Sequence, residues 1–374
     1  MNDHIKLFIP GPGDVDDPVL EAMGQPIERH YGPAWVATYG ETQALAKQVF
    51  GTTNDLFLVP GPGTGTIDMA LGSLLPAGQK IVIGRNGFFG VRLTEIAEAH
   101  GLQVVPCDAP PATPLDPDSL RRVLAAHPDA RVVAVVHHET GTTVLNPLKD
   151  LAAVCRDAGR VLVVDAVSSL GGTPLPVDAW GIDVCVTAPN KCLEGPPGLG
   201  LISVSPRAWS LVDEHPGSGH GWYLNLRTWR SYAREWGAWH PTPVTISSNT
   251  VGGVRASLRR IVAGGLDAHI AKYARACDRV RTALSGMGFR PLIPEAYAAP
   301  MTTAFHARPE FTVAEFVAWL LEERHIAISG GLADLAGKIF RVGHLGKASS
   351  DPYIDEFVAA VDEFLNGKGL KARD

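Results

Sequence analysis

The sequence predicts an α/β protein, with a mostly parallel sheet in a large first domain and a smaller α+β domain after it. Short apolar runs alternate with helix-like stretches between about Phe57 and Val204. Runs this apolar are typical of strands covered on both faces, and the helices between them supply the crossovers. The runs are FLV at 57–59, IVIG at 81–84, QVVP at 103–106, VVAVVH at 132–137, VLVVD at 161–165, DVCVT at 183–187 and LGLISV at 199–204.

The pattern changes after about Gly252, where long amphipathic helices follow with few strands between them. The last of them, IDEFVAAVDEFL at 354–365, gathers its apolar residues on one helical face. The stretch at 215–243 is too rich in aromatic residues for a simple linker, and we expect it to pack at an interface or over the functional site. The predicted division is an N-terminal arm at 1–20, a large domain at 21–250 and a small C-terminal domain at 251–374.

Composition restricts the classes of function. The chain has 374 residues, 45% apolar and 19% charged, as in ordinary globular proteins. Because the formal net charge is −6 and no window gathers Lys and Arg, we expect neither nucleic acid nor a membrane surface as a partner. The five cysteines are scattered without a CxxC pair, which favours a reducing cytoplasm and no metal site. We expect neither an export signal nor a membrane span.

The segment VLVVDAVSSLGG at 161–172 runs an apolar strand directly into Asp165. A carboxylate at the end of a buried strand is unfavourable without a partner. The nitrogen of a pyridine cofactor is one such partner, because the carboxylate keeps that nitrogen protonated and lets the ring accept electrons. A lone Asp at a strand end is more often a helix cap or a metal ligand, so this position alone does not decide the chemistry.

The next strand leads into VTAPNKCLEGPPGLG at 186–200, where Lys191 precedes a turn rich in Gly and Pro. A lysine partly removed from water there has a lowered pKa and suits Schiff-base chemistry, although an isolated lysine is usually a surface residue. Lys191 follows Asp165 by 26 positions (191 minus 165), one βα step along the sheet. Both side chains are therefore expected in the same crevice at the carboxyl ends of the strands.

Upstream, LVPGPGTGTIDMAL at 58–71 predicts a strand, a Gly-rich turn and a helix that begins near Gly63, Thr64 and Gly65. The free N–H groups of a helix start and the positive end of its dipole bind phosphate well. The turn does not match the dinucleotide pattern GxGxxG followed by an acidic residue about 20 positions later. The expectation is therefore a phosphate seat of another kind.

Together these motifs resemble those of the class V, fold-type I aminotransferases that depend on pyridoxal 5′-phosphate (PLP), the group containing serine–pyruvate, alanine–glyoxylate and 2-aminoethylphosphonate aminotransferases. The resemblance covers nearly the whole chain. It implies a large domain with a mostly parallel seven-stranded sheet and a smaller C-terminal α+β domain. The motifs are PGPGDVDDPVLEAM at 10–23, IGRNGFFGVR at 83–92, VHHETGTTVLNP at 136–147, VDAVSSLGG at 164–172, APNKCLEGPPG at 188–198 and FRVGHLG at 340–346.

The resemblance also implies the activity and the site around the cofactor ring. An amino donor, an α-amino acid or a related amine, would pass its amino group to a 2-oxo acid such as pyruvate or glyoxylate in a ping-pong reaction. Lys191 would form the Schiff base and Asp165 would contact the ring nitrogen. Val167 would cover one ring face and Phe89 the other. Glu139 lies near the position where relatives hold the ring oxygen. Two interpretations of it stay open: a residue that orients the site, and a solvated acid in a turn.

For the phosphate group, the resemblance assigns Gly63, Thr64 and Gly65 to the binding turn. Asn190 stands where many relatives have a Gln that reaches the phosphate. Thr242 matches a threonine that in relatives crosses a dimer interface to the neighbour's phosphate, which implies a homodimer with active sites at the interface. Arg341 matches the arginine that binds the substrate's α-carboxylate, for which the guanidinium fork is well shaped.

Several positions depart from the family pattern, and two alternatives stay open. Pro62 stands where relatives often have Ser, Trp239 where some have Tyr, and His138 where alanine–glyoxylate relatives often have Gly. HHET, PNKCL and GHLG also resemble pyridoxamine–pyruvate aminotransferase, although that enzyme has an acid at the position of Pro62 and a second arginine at that of Leu332. The second alternative is a PLP lyase such as a desulfurase, for which Cys192 would have to be a mobile nucleophile. A cofactor-free binding module is disfavoured by the pairing of Asp165 with Lys191.

Overall fold

The computed structural model describes residues 4–215 and 220–370. The predicted arm, the aromatic-rich stretch and the small domain each include a few residues outside these ranges. The strands are β1 Lys6–Leu7, β2 Asp55–Pro60, β3 Lys80–Arg85, β4 Gln103–Asp108, β5 Val132–Val136, β6 His138–Glu139, β7 Val144–Leu145, β8 Val161–Asp165, β9 Val184–Thr187, β10 Leu199–Val204, β11 Thr302–His306, β12 Ile326–Ala327, β13 Ser329–Gly330 and β14 Ile339–Gly343.

The helices alternate with these strands in the first part of the chain and are longer in the second. They are α1 Asp17–Met23, α2 Pro33–Phe50, α3 Gly63–Leu74, α4 Phe88–Ala99, α5 Pro117–Ala126, α6 Leu148–Asp157, α7 Val177–Trp180, α8 Pro206–Glu214, α9 Leu226–Glu235, α10 Ser248–Gly264, α11 Leu266–Gly286, α12 Val313–Arg324 and α13 Asp351–Gly367.

The main sheet confirms the predicted α/β architecture. Its seven strands lie in the order β2-β10-β9-β8-β5-β3-β4. All neighbours are parallel except β10, which is antiparallel to both β2 and β9. Each predicted apolar run corresponds to one of these strands. The parallel strands β8 and β9 lie side by side at the middle of the sheet, so their carboxyl ends open into one crevice.

Both faces of this sheet are buried, which explains why its strands read as continuous apolar runs. In β5 every residue is buried, and alternate side chains enter different core clusters. Val133 and Val135 belong to one cluster, whereas Val132, Ala134 and Val136 belong to the cluster on the other face. Burial of that many aliphatic side chains, each contributing roughly 1.5–3 kcal/mol, holds the strand ends in a rigid frame.

A third core cluster lies in the second part of the chain and includes Phe8 of the arm. The arm reaches it because β1 pairs in parallel with β12. The predicted domain limit at 250 falls inside α10, whose buried Val254 and Leu258 belong to the first core cluster. This packing favours a limit nearer Gly265, and the division into domains stays a prediction.

Three general features concern membrane-spanning helices, metal sites and cysteines. Within the described ranges, the helices include none with the length and apolarity needed to cross a membrane. The same ranges hold no group of His, Cys, Asp and Glu suited to a metal ion. All five cysteines are free and buried.

Candidate active site

The two predicted key residues come together at the centre of the sheet. Asp165 is the last residue of β8, and Lys191 follows the end of β9, its parallel neighbour. Each side chain acts electrostatically on the other: Asp165 raises the pKa of Lys191, and Lys191 lowers that of Asp165, although burial outweighs both effects. The expectation of a shared crevice, drawn from the spacing, agrees with this arrangement.

The Asp165 carboxylate is buried and has spare capacity for a hydrogen bond. Its Oδ1 accepts from the Val167 backbone N–H at 2.9 Å, and among the described residues no donor contacts Oδ2. Burial raises the pKa of Asp165 to about 6, with Val167, Arg92 and Lys191 opposing the shift. A buried carboxylate in this condition is stabilised by any ligand that brings an N–H donor, such as a protonated pyridine nitrogen.

Lys191 is a partly buried amine that has no acid partner among the described residues. Its Nζ donates to the backbone carbonyl of Pro10 at 2.6 Å, and no carboxylate within the described ranges forms an ion pair with it. Burial lowers the pKa of Lys191, which increases the fraction of free, nucleophilic amine. The Pro10 contact could not be predicted from the sequence. A Cβ added at Gly11 would collide with the Lys191 side chain, so only glycine allows the arm to pass there.

A small cavity of about 40 Å³ lies beside these residues. Phe89 and Val167, predicted to cover the two faces of a planar ring, both line it, as do Thr64 and Asp165. The other polar residues in its wall include His138 and Thr140, which were not assigned to the site by sequence reasoning. Their position directly after β5 is the sequence signal that could have assigned them to the site, because this strand also ends at the crevice.

His138 contributes a hydrogen-bond acceptor to this wall. The imidazole is 2% exposed, and burial lowers its pKa to about 4, so it is neutral near pH 7. Nδ1 lies 3.1 Å from the Ser168 carbonyl, which can only accept, so Nδ1 carries the proton. Nε2 is therefore an acceptor, and it is buried without a partner. A ligand group next to it would be best matched by an N–H or O–H donor.

The turn that was predicted to bind phosphate leads into a helix, as expected. Its backbone lies closer to neighbouring residues than the sequence alone indicates. Helix α3 begins at Gly63, and a Cβ added there would lie 2.6 Å from a methyl carbon of Val167. Only glycine therefore fits against the residue that covers the ring site. The N–H of Gly65 is already bonded to the Pro62 carbonyl at 2.9 Å. This leaves the N–H groups of Gly63 and Thr64, with the Thr64 hydroxyl, as the donors at the helix start.

Glu139 acts on the protein backbone and does not line the ring cavity. Its carboxylate accepts from the N–H groups of Phe89 at 3.0 Å, Gly90 at 3.1 Å and Gly141 at 3.1 Å. Burial raises its pKa, and these three N–H groups oppose the shift. Of the two interpretations left open for Glu139, these bonds favour the orienting residue, because the carboxylate fixes the start of α4 and the ring of Phe89; a contact with the cofactor stays a prediction.

Asn190 and Thr242, which were also predicted to contact the phosphate, form hydrogen bonds within the chain. Asn190 adjoins Lys191, and its backbone carbonyl accepts from Gly13 at 3.0 Å. Thr242 is fully buried, and its hydroxyl donates to the Val244 carbonyl at 2.9 Å. The Thr242 proton is therefore used within the chain, and contact with a neighbour's phosphate would require that bond to be exchanged.

Arg341, in β14, is buried without an acidic partner. It is 5% exposed, and its Nε and Nη1 donate to the carbonyls of Gly330 at 2.9 Å and Thr140 at 3.0 Å. No Asp or Glu among the described residues forms an ion pair with it, and burial lowers its pKa. Glu139 opposes this shift electrostatically but forms no ion pair with the guanidinium, and a buried guanidinium compensated only in part is suited to an incoming anion. A ligand carboxylate would satisfy the remaining donors.

Comparison with known proteins agrees with this geometry. The family model described as Aminotransferase class-V matches residues 17–353. The chain belongs to the class V aminotransferases. A 2-aminoethylphosphonate–pyruvate transaminase of Paraburkholderia xenovorans is 33% identical over 100% of this chain and 99% of its own. The fold of this chain is also that of solved class V aminotransferases.

Two solved structures superpose on nearly the whole chain. An alanine–glyoxylate aminotransferase from Nostoc has a TM-score of 0.93 at 29% identity, with 98% of this chain and 96% of that chain covered. A pyridoxamine–pyruvate aminotransferase from Mesorhizobium loti has a TM-score of 0.92 at 26% identity, with 99% and 94% covered. The fold-type I architecture expected from the resemblance is thereby confirmed.

Class V aminotransferases depend on PLP, and the residues of this aminotransferase fit that cofactor. Asp165 has a carboxylate oxygen without a donor among the described residues, which is available to the ring nitrogen, and Phe89 and Val167 line the cavity beside it. Lys191 supplies a partly buried amine that pairs with no acid in the described part of the chain. The cofactor, bound through its aldehyde to a lysine amine, supplies an electron-accepting ring.

Asp165→Asn should stabilise the PLP-free aminotransferase in a pH-dependent manner. The unfolded carboxyl loses its proton near 3.8 and the folded one near 6, so the folded state binds more protons between these values. Stability of the wild type therefore falls as pH rises through this window, whereas the amide does not titrate. Near pH 7 the variant should be more stable by on the order of 2–3 kcal/mol.

Urea unfolding of both PLP-free proteins at a series of pH values would measure this difference. It should shrink as pH falls towards about 4, and added PLP should reverse its sign at neutral pH by supplying the ring nitrogen as partner. A difference that is constant over the whole range would contradict the assignment of a strained, buried carboxylate at Asp165.

Proposed function

We propose that this aminotransferase moves an amino group from an α-amino acid, or a related amine, to a small 2-oxo acid such as pyruvate or glyoxylate. The exchange would be ping-pong, with PLP held on Lys191. The observation that carries this proposal is Arg341, a buried guanidinium that forms no ion pair with any acid among the described residues. It lies close enough to Lys191 to lower the pKa of that amine. An anion-binding group beside a nucleophilic amine is what an α-carboxylated substrate requires.

The proposed roles follow from the contacts of each residue. Arg341 binds the carboxylate of the donor and later of the acceptor, so both substrates present their reacting carbon in the same place. Asp165 keeps the ring nitrogen protonated. Lys191, once released as a free amine, takes the proton from the substrate Cα and returns it as the amino group is transferred. The Pro10 carbonyl offers this amine a resting position.

The amino donor and acceptor are best compared with those named for the relatives. The matched proteins are named for 2-aminoethylphosphonate with pyruvate and for alanine with glyoxylate. Both kinds of donor carry an anionic group that Arg341 could bind. We propose an α-carboxylated donor because the guanidinium fork, partly held by two carbonyls, leaves room for one planar anion.

A pyridoxamine–pyruvate reaction is the second candidate, favoured by the structural similarity to that enzyme. Leu332 opposes it, since an apolar side chain stands where a second arginine is expected. A lyase that uses Cys192 as a nucleophile is less well supported. This thiol is 0% exposed, and burial raises its pKa, so it is held as a thiol.

A homodimer is the proposed assembly. Trp236 and Trp239 are 50% and 49% exposed, and their rings lie 6.0 Å apart. The ring of Tyr31 lies tilted against that of Trp239, with their centroids 5.1 Å apart, which extends the same aromatic surface. A contiguous exposed aromatic patch of this kind is typical of an interaction surface. Sedimentation velocity should give the mass of two chains, and a monomer at all concentrations would contradict the proposal.

The proposed activity is tested in two steps. Borohydride reduction of the PLP-loaded protein, followed by peptide mass spectrometry, should place the added mass on Lys191. Single-turnover spectra with L-alanine, L-aspartate, 2-aminoethylphosphonate and pyridoxamine should then show which donor converts the cofactor to its amine form, and pyruvate or glyoxylate should restore the aldehyde form. Conversion that no 2-oxo acid can reverse would contradict the aminotransferase assignment.

A further inference from the structure

The turn that carries Lys191 is anchored by a hydrogen-bond network outside the ring cavity. Within the turn, the N–H of Glu194 bonds to the Lys191 carbonyl at 3.1 Å and that of Gly195 to the Pro189 carbonyl at 2.9 Å. The carbonyl of Cys192, the residue after the lysine, points away from these bonds towards α11. Its orientation sets the backbone from which the Lys191 side chain projects.

Helix α11 presents two polar side chains to this carbonyl. His269 and Tyr273 are four positions apart (273 minus 269) and therefore share one helical face. Nε2 of His269 lies 2.8 Å from the Cys192 oxygen, and the hydroxyl of Tyr273 lies 3.2 Å from it. Both residues are buried, at 9% and 0% exposure, so water does not compete for these contacts.

The Tyr273 hydroxyl has another, stronger acceptor. It lies 2.6 Å from Oε1 of Glu194, which also forms an ion pair with Lys272 at 2.5 Å. A hydroxyl has one proton, and a carboxylate binds it more strongly than a carbonyl does. The Tyr273 hydroxyl therefore donates its hydrogen bond to Glu194. This leaves His269 as the donor to the Cys192 carbonyl. Because a carbonyl only accepts, Nε2 of His269 carries the proton.

Glu194 needs these hydrogen bonds because its backbone conformation is unfavourable. Its φ is 55°, in the left-handed region that non-glycine residues rarely adopt. The bonds to Tyr273 and Lys272 hold the residue there and thus close the turn that follows Lys191. The Cys192 thiol adds a contact to the Ser168 carbonyl at 3.6 Å, which ties the turn to the segment after Asp165.

We propose that His269 is a positioning residue for Lys191: its bond to the Cys192 carbonyl, supported by Tyr273 and Glu194, fixes the direction in which the lysine side chain leaves the turn after β9. This inference rests on the proposed function, since it assumes that Lys191 holds PLP. It assigns a role to α11, a helix of the second part of the chain, in arranging a site built at the ends of the sheet.

The test compares His269→Leu, which removes the donor, with His269→Gln, which keeps an N–H at similar reach. Hydrogen–deuterium exchange of the PLP-free protein should show faster exchange at the amides of 192–195 in the Leu variant and near-normal exchange in the Gln variant. In the loaded enzyme, kcat should fall roughly five- to tenfold for Leu, with KM nearly unchanged, and recover for Gln. If His269→Leu does not fold, His269→Asn, whose amide is too short to reach the carbonyl, replaces it.

A purely structural role predicts a different result: both substitutions would lower thermal stability alike, without a local change in exchange or a selective loss of kcat. That outcome would overturn the inference. Borohydride trapping in the wild type separates it from the proposed function. Absence of label on Lys191 refutes the function itself, whereas labelled wild type together with unaltered exchange and kcat in His269→Leu refutes only the positioning role.

Discussion

Lys191→Ala should abolish turnover while leaving a folded protein. The substitution removes both the covalent attachment of PLP and the amine that moves the substrate proton, so the rate should fall by several orders of magnitude. PLP can still bind noncovalently through Asp165 and the helix start at Gly63, because these contacts are independent of the amine. Steady-state turnover and borohydride labelling on the same sample measure the two losses together.

A suitable control is Lys149→Ala, since Lys149 is an exposed lysine in α6. It should retain wild-type turnover and labelling. The central assignment would be wrong if Lys191→Ala kept near-normal transamination, or if label persisted on another lysine with activity intact.

Arg341→Ala should impair substrate binding and leave the cofactor in place. Loss of a charge-assisted bidentate pair should cost roughly 3 kcal/mol, about a hundredfold or more in kcat/KM. The loss should be shared by every donor and acceptor that carries a carboxylate. The absorption spectrum of the loaded enzyme and its labelling at Lys191 should be unchanged, because Arg341 bonds to the carbonyls of Gly330 and Thr140 and does not itself line the ring cavity.

The comparison is sharpest in the first half-reaction, measured by single turnover without a 2-oxo acid. Simple alkyl amines, which lack an anionic group, should react at similar rates with the wild type and with Arg341→Ala. Arg341→Lys should show an intermediate loss, because it keeps the charge without the planar fork. Equal damage for amino acids and alkyl amines would mark Arg341 as a structural residue and remove the main support for an α-carboxylated donor.

The sheet could be predicted from the sequence because its strands are covered on both faces. Continuous apolar runs such as the one at 132–136 can be recognised without any tertiary information. The antiparallel direction of β10 could not, since a run buried on both faces has the same composition in either direction. The limit between the two domains was also obscured, because α10 packs on the first core while its sequence looks like the helices that follow.

Some features of the site could likewise be predicted from the sequence, and others could not. Asp165 and Lys191 were predictable because side chains at neighbouring strand ends must meet. The contact between Lys191 and Pro10 was not, because a backbone carbonyl has no residue-type signal. His269 lies 77 positions from Cys192, and only the packing of α11 brings them together. For Glu139 and Thr242, residue type allowed a ligand contact, and the local backbone supplied a nearer partner in each case.

The path of the N-terminal arm has a consequence for how the molecule is made. Lys6 pairs with Ile326 in β1 and β12, and Pro10, four residues further on, meets Lys191 across a separation of 181 positions. During synthesis the seven sheet strands have all emerged once Val204 has left the ribosome, more than a hundred residues before β12 exists. A nascent chain halted before Ile326 thus contains the whole sheet and the lysine, but lacks the strand against which its own beginning must pair.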